Sequence, residues 1–395
     1  MLTFSGWFFS MTGIAATADP AREVTLIRDN DMNLRREVRQ FLASELALRS
    51  FRPQCDSWMV GHSPAFSQKL GSRGWVGMTI PVRYGGAGRS SAERYAVIEE
   101  LLAAGAPVAA HWFADRQIAP ALLRHGTAAQ QETFLPGICR GEIYFAIGMS
   151  EPDSGSDLAA VRTRAERDAT GWRLTGSKVW TSHAHCAHYA LVLARTDSVT
   201  DGNRHLGLSQ FLVDLTLPGI EVRPIVTLDG AQHFNEVFFD DVALDDDALL
   251  GSRGEGWRQV MQELALERSG PERFLSTMPL LRSFLRCPGS GDPGLGILLA
   301  EASSIRAMSL AVAESLGRGE VPTVESAIVK DLGTLFERKV IDVVRAGTAT
   351  RPALDSSNEL ERLLGEAIVH SPDRTLRGGA NEVLRGIVAK ALVAS

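Results

Sequence analysis

The apolar residues of this 395-residue chain change period twice, and that double change limits its fold more than any single motif. From Leu34 to about Cys139 they recur at helical spacing, as in Arg94-Tyr95-Ala96-Val97-Ile98-Glu99-Glu100-Leu101-Leu102, with glycine-rich breaks between runs. From Ile143 to about Leu250 they fall into short strands, exemplified by Trp172 to Thr175, Tyr189 to Ala194 and Ser209 to Asp214. Turn residues such as Asp201-Gly202-Asn203 and Pro218-Gly219 separate those strands. After Gly251 the helical period returns and persists to Leu392. The pattern predicts an α+β protein with an N-terminal helical domain over 33–142, a middle β domain over 143–250 and a C-terminal helical domain over 251–395.

With 45% hydrophobic residues, this length holds material for two or three cores, because single cores stop growing at about 250–300 residues. A net charge of −6 leaves no basic footprint for nucleic acid. Cys55, Cys139, Cys186 and Cys287 form neither a CxxC pair nor a dense framework, which suits a reducing, cytoplasmic compartment. Leu2 to Ala18 is largely apolar, yet no Lys or Arg precedes it and it falls short of the roughly 20 residues of a membrane span. Residues 1–32 are therefore read as a disordered extension or an upstream-called start, with a weak signal peptide as the alternative. No membrane span is expected.

The chemistry-bearing segment runs Met149-Ser150-Glu151-Pro152-Asp153-Ser154-Gly155-Ser156-Asp157 and continues at Gly176-Ser177-Lys178-Val179-Trp180-Thr181-Ser182. Ser150 and Ser182 offer hydroxyls that donate or accept. Gly155 permits close backbone approach, and Trp180 supplies a large flat surface. Such a set suits a planar cofactor with a phosphate tail. Three other signals carry less. His183, His185, Cys186 and His188 include zinc-type ligands, but on a strand they would split between two faces. A formal GxGxxG at Gly289 to Gly294 follows an apparent helix, Phe274 to Leu285, and contains Pro293, so an interhelical loop is expected there. No Gly-x-Ser-x-Gly elbow is present, which weakens a hydrolase reading.

The spacing of the Met149 and Gly176 segments resembles the signature of the acyl-CoA dehydrogenase family. Two further stretches share the resemblance: Gly74-Trp75-Val76-Gly77-Met78-Thr79-Ile80-Pro81 running into Tyr84 to Gly88, and His125-Gly126-Thr127 through Gln130, Leu135-Pro136 and Gly141-Glu142. It implies a middle domain built as a β-barrel or sandwich and a C-terminal four-helix bundle. It also implies an FAD cofactor, contacted by Met149, Ser150, Gly155, Ser156, Trp180, Thr181 and Ser182, with Ser156 also on the substrate side. The implied reaction is α,β-dehydrogenation of an acyl-CoA thioester, with electrons passed to an electron-transfer flavoprotein.

The family's usual base, a glutamate before a Gly-Thr pair near the C-terminus, is missing, because Gly378 stands at that position in Thr375-Leu376-Arg377-Gly378-Gly379-Ala380-Asn381-Glu382. Members resembling the isovaleryl- and long-chain types take the base from a Glu-Arg pair after the β domain. Glu263-Leu264-Ala265-Leu266-Glu267-Arg268 lies at that place, which makes Glu267 the candidate base and Arg268 its substrate-side partner. Glu382 is the alternative carboxylate. The family's Arg-x-x-Phe-Gly, which reaches a neighbouring subunit's FAD, is replaced by a breaker loop from Arg286 to Gly296, leaving Arg282 or Arg286 as substitutes. A Gly-Gly-x-Gly is likewise replaced by Arg345 to Thr350. Such losses resemble actinobacterial members that assemble two different chains into a heterotetramer; a homo-oligomer is the other reading. Two further functional alternatives stay open, a flavin monooxygenase or oxidase and a non-catalytic partner subunit. His111-Trp112-Phe113 fits either a pocket wall or core.

Overall fold

The computed structural model describes residues 21–198, 202–287 and 294–394. The expected extension over 1–32 falls outside these residues as far as residue 20, and the first helix opens at Ala21 rather than Asn33. Seven helices form the N-terminal part: α1 (Ala21–Ala47), α2 (Ser57–Val60), α3 (Pro64–Ser72), α4 (Ser91–Ala103), α5 (Ala109–Phe113), α6 (Ala119–His125) and α7 (Ala128–Cys139). Capping boxes start two of them, Ser90 with Glu93 at α4 and Thr127 with Gln130 at α7, so free N–H groups at each helix start are satisfied reciprocally. Between α5 and α6 the backbone widens into a π-helical turn over Ala114–Ile118.

The central part is one eight-stranded sheet: β1 (Phe145–Gly148), β2 (Arg164–Arg167), β3 (Trp172–Lys178), β4 (Tyr189–Arg195), β5 (Leu208–Asp214), β6 (Ile220–Ile225), β7 (Phe234–Leu244) and β8 (Leu249–Leu250). Its order is β6-β7-β3-β2-β4-β5-β8, with β1 parallel to β4. Hydrogen bonds therefore link all the strands in a single sheet, the strand-rich middle part expected between two helical parts. Strand alternation decides what each face meets. Leu191 and Leu212 pack with Ile118, Leu122, Leu135 and Ile138 of the N-terminal helices. Ala190, Val192, Phe211 and Val213 point the other way, into a core with Trp172, Val237 and Phe239. Covered on both faces, β4 and β5 read as nearly continuous apolar runs.

Beyond β8 come α8 (Gly256–Ser269), α9 (Met278–Leu285), α10 (Gly294–Gly317), α11 (Thr323–Gly347), α12 (Glu359–Arg374) and α13 (Asn381–Ala394). The long α11 is central, with α8, α10 and α13 packed around it. By length and composition α10 could cross a membrane; here it packs against α11 and α4. N-terminal and C-terminal helices share one apolar core that joins Trp58, Met59 and Trp112 to Phe274, Leu280, Phe284 and Leu363. His111 is buried with its Nδ1 2.8 Å from Ser67 Oγ, and Trp112 packs 5.8 Å from Trp58, so both belong to this core. Of the cysteines, Cys55 and Cys139 are buried while Cys186 and Cys287 are partly exposed.

A buried ionic cluster at Asp56 ties the three parts together. Asp56 is 1% exposed and left-handed at φ 54°, a conformation that aspartate tolerates better than most residues. Its carboxylate accepts from Arg374 at 2.6 Å and from Arg377 at 2.5 Å, and lies 3.6 Å from Nδ1 of His370. His370 Nε2 in turn donates to Asp229 of the β6–β7 connection at 3.0 Å. Burial alone would push the Asp56 carboxyl up, yet Arg374, then Arg377 and His370, hold it well below the usual carboxylate range. Burial likewise opposes charge on His370, but Asp229 and Asp56 raise it to about 9.

Replacing one member of such a cluster strands the others as unpaired buried charges, at a cost of about 3–5 kcal/mol. Asp56→Asn should therefore lower unfolding stability by about that much in urea titrations at neutral pH; a loss below about 1 kcal/mol would show that the cluster is dispensable. Because the His370 pKa is raised, its stabilisation is complete below the unfolded value near 6.5 and disappears as pH rises through about 9. The unfolding free energy from urea titrations should fall between pH 7 and 10 by on the order of 3 kcal/mol in the wild type, and by clearly less in His370→Gln.

Candidate active site

The last turn of α8 and the connection from α12 to α13 meet at Glu267 and Gly378. A Cβ added to Gly378 would stand 3.1 Å from Oε1 of Glu267, and 3.1 and 3.2 Å from the two terminal nitrogens of Arg273. Gly378 and Gly379 both take positive φ, 69° and 97°, which a side chain would strain. The absent side chain at 378 and the carboxylate at 267 thus converge on one spot. Glu267 pairs with Arg273 at 3.1 Å and keeps 26% of its side chain exposed.

Two buried cations hold the glycine loop from behind. Arg268 Nε donates to the Gly378 carbonyl at 2.9 Å, and Lys330 Nζ of α11 donates to the Gly379 carbonyl and to Asn381 Oδ1, each at 2.8 Å. Burial brings the Lys330 amine down to about 7, with Arg273 and Arg377 adding to the effect. Among the described residues neither Gly378 nor Gly379 spends its N–H on a backbone acceptor. Glu382 is exposed on the first turn of α13.

The cofactor-type segments lie where β1 ends and β3 ends. Their backbones are joined by the Val179 N–H to the Ser150 carbonyl at 2.9 Å. Lys178 is buried beneath them; its Nζ donates to the Met149 carbonyl at 3.1 Å and to Glu151 Oε1 at 2.8 Å. Burial lowers Lys178 to about 8 even with Glu151 opposing. Glu151 also accepts from the N–H groups of Arg162 and Thr163, so one ion pair clamps both ends of the 149–163 loop. Gly155 and Ser156 are exposed at that loop, and a Cβ on Gly155 would meet nothing within 4 Å.

Trp180 takes a left-handed φ of 60° and is 56% exposed, touching Phe234 edge-on at 5.7 Å. Next to it Thr181 is buried, and its Oγ1 has no hydrogen-bond partner. Ser182 is nearly buried. The exposed indole is a large flat face left open to a planar group.

Residues 182–186 form a turn, so the two-face alternation of a strand does not apply to the histidines. His183 Nε2 donates to the Met59 carbonyl at 2.6 Å, and His185 Nδ1 donates to Asn235 at 3.0 Å. These rings dock the Trp180 turn onto α2 and β7. Arg282 and Arg286 are also occupied within the chain, by the Ala103 carbonyl and by Glu359 respectively. Sequence reasoning missed Lys178, Lys330 and Arg273. Lys178 could have been found, since it sits at an inward position of a strand flanked by motif residues.

Comparison with known proteins adds independent information. The chain matches the model of the acyl-CoA dehydrogenase N-terminal domain over residues 28–142 and that of the middle domain over 146–242. It is 37% identical over 340 residues to the acyl-CoA dehydrogenase IpdE1 of Mycobacterium tuberculosis, covering 82% of this chain and 86% of that one. Among solved structures, the Tcur3481-Tcur3483 steroid ACAD superposes with a TM-score of 0.79 at 28% identity, covering 93% of this chain and 98% of that one. The ChsE4-ChsE5 complex from Mycobacterium tuberculosis does so with a TM-score of 0.77 at 26% identity, over 97% and 99%. This chain belongs to the acyl-CoA dehydrogenase family.

Proposed function

We propose that this chain uses FAD to dehydrogenate a bulky or branched acyl-CoA, with Glu267 as the base that removes the α-proton. The observation that carries the reading is the 3.1 Å approach between Glu267 Oε1 and the point where a side chain at 378 would begin. A carboxylate on α8 thereby reaches the place from which the family's more common base would act. The residues around Trp180 support the cofactor reading: the exposed indole offers a face, and Ser150, Thr181 and Ser182 are the polar residues beside it. Met149, Gly155 and Ser156 complete the proposed contacts, with Ser156 also assigned to the substrate side.

When bound, FAD supplies the acceptor for the β-hydrogen and its electron pair. The protein's own part is proton transfer and charge stabilisation. The α C–H bond breaks toward Glu267, whose carboxylate takes the proton. Negative charge then grows on the thioester oxygen, and the N–H groups of Gly378 and Gly379, which have no backbone acceptor among the described residues, are the donors proposed for it. Arg268 and Lys330 act at one remove, by holding those peptides.

Electron-transfer flavoprotein is the proposed electron acceptor, and a cytoplasmic location is proposed with it. The oligomer proposed is a heterotetramer with a homologous chain. Arg282 and Arg286 are engaged internally, so the arginine that the family sends to a neighbour's FAD is not supplied by either. The ChsE4-ChsE5 complex gives a precedent for two-chain assembly. The outer face of α10, with Gly296, Ile297, Ala300, Ala307 and Ala311 exposed, is a surface small enough in profile for close helix contact.

Trp180→Ala should weaken FAD binding, since an aromatic contact contributes about 0.5–1.5 kcal/mol beyond its buried area. Fluorescence titration of the apoprotein, with its partner chain present, reads this as a raised Kd; an unchanged Kd would remove Trp180 from the site.

Glu267→Gln keeps the shape and removes the base. Acyl-CoA-dependent bleaching of the flavin under anaerobic conditions should slow by about 10²–10⁴-fold with flavin content unchanged. Moving the carboxylate, by Glu267→Gly with Gly378→Glu, should restore part of that loss. Near wild-type bleaching by Glu267→Gln, with Glu382→Gln inactive, would place the base elsewhere.

A further inference from the structure

The base helix carries a second carboxyl group, one turn before Glu267, that the proposed reaction leaves unused. Glu263 and Glu267 are four residues apart on α8, so their Cβ atoms lie on one face about 5–6 Å apart. Their surroundings differ. Glu263 is 3% exposed, and its Oε2 accepts one hydrogen bond, from Gln210 Nε2 of β5 at 3.2 Å. Among the described residues its Oε1 has no hydrogen-bond partner, and neither has Gln210 Oε1.

The charged groups on the elements packed around α8 are turned elsewhere. Arg116 of the π-helical turn donates to Glu272 and to the Leu266 carbonyl. Lys330 of α11 is held by Gly379 and Asn381, Arg306 of α10 pairs with Glu99, and Arg268 donates to Gly378. Arg273 is paired with Glu267 itself. An ionised carboxylate at Glu263 would thus be buried with one neutral amide as its support, which does not offset the loss of water.

We propose that Glu263 and Glu267 form a two-carboxyl pair in which Glu263 keeps its proton throughout the reaction, a neutral positioning residue that leaves Glu267 as the only ionised carboxylate on this face. The inference rests on the reading of Glu267 as the base. No bond to Glu263 is made or broken: the α-proton passes to Glu267, and Glu263 ends the step as it began. Two carboxyl groups whose environments push them apart in this way can hold separate acid and base roles. Ionising both would crowd negative charge where the enolate forms. Burial moves Glu263 up to about 8, with the Gln210 hydrogen bond opposing and the Glu267 charge reinforcing the shift. The pair therefore breaks down on the alkaline side.

The test uses the FAD-loaded enzyme with its partner chain. Infrared difference spectra at pH 7 should show the carbonyl stretch of a protonated, buried carboxyl that is lost in Glu263→Gln and retained in Glu267→Gln. The rate of acyl-CoA-dependent flavin reduction should fall through an alkaline limb near pH 8 in the wild type, and Glu263→Gln should lack that limb. An identical alkaline limb in both proteins, or no protonated-carboxyl band assignable to Glu263, overturns the proposal. If Glu267→Gln reduces flavin normally while the Glu263 band is present, the base assignment fails and the proton assignment is supported. Should Glu263→Gln not fold, Gln210→Leu removes the hydrogen bond to Glu263 and should shift the band instead; an unshifted band overturns the assignment.

Discussion

Everything near the reactive centre is referred to one buried anion, Asp56. It stands at the start of α2, receives Arg374 and Arg377 from the end of α12, and connects through His370 to Asp229 beside the sheet. Arg377 immediately precedes Gly378, so the anchor of the cluster is also the anchor of the glycine loop. The guanidinium groups of Arg273 and Arg377 both lie over the Trp58 ring, at 5.0 and 4.7 Å. Cation–π contact thereby couples the residue that pairs with Glu267 to the residue that pins the loop.

Buried charge recurs at the junctions of the site, each time paired with an opposite charge or a carbonyl of the chain. Lys178 with Glu151 closes the 149–163 loop beneath the Trp180 turn, and Lys330 closes the loop at 379–381. Ion pairs in such places add little net stability over apolar packing but forbid alternative registers once the fold has formed. A site that must hold a carboxylate, two peptide N–H groups and a flat cofactor in fixed relation gains from that intolerance.

The parts of this arrangement that were legible in the sequence are those carried by local pattern or by a conspicuous absence. Period changes located the helices and strands because burial acts on every third or fourth residue in one and on alternate residues in the other. Gly378 in place of an expected glutamate pointed to Glu267, and the two positions do adjoin. Residues whose roles depend on distant partners were not legible. Lys178, Lys330 and Arg273 look like ordinary solvated charges until the chain brings Glu151, Gly379 and Glu267 to them. The turn at 182–186 was not legible either, because His183 takes a left-handed φ of 56° and is fastened to the distant Met59.

The central claim is that the reacting Cα sits between Glu267 and the glycine loop. A crystal structure of the assembled protein with FAD and a non-oxidisable acyl-CoA thioether analogue tests it directly. The account requires a Glu267 carboxylate oxygen to be the acidic group nearest the analogue's Cα, with Gly378 directly beside it. A Cα approached instead by Glu382, or by a carboxylate of a partner chain, would contradict it.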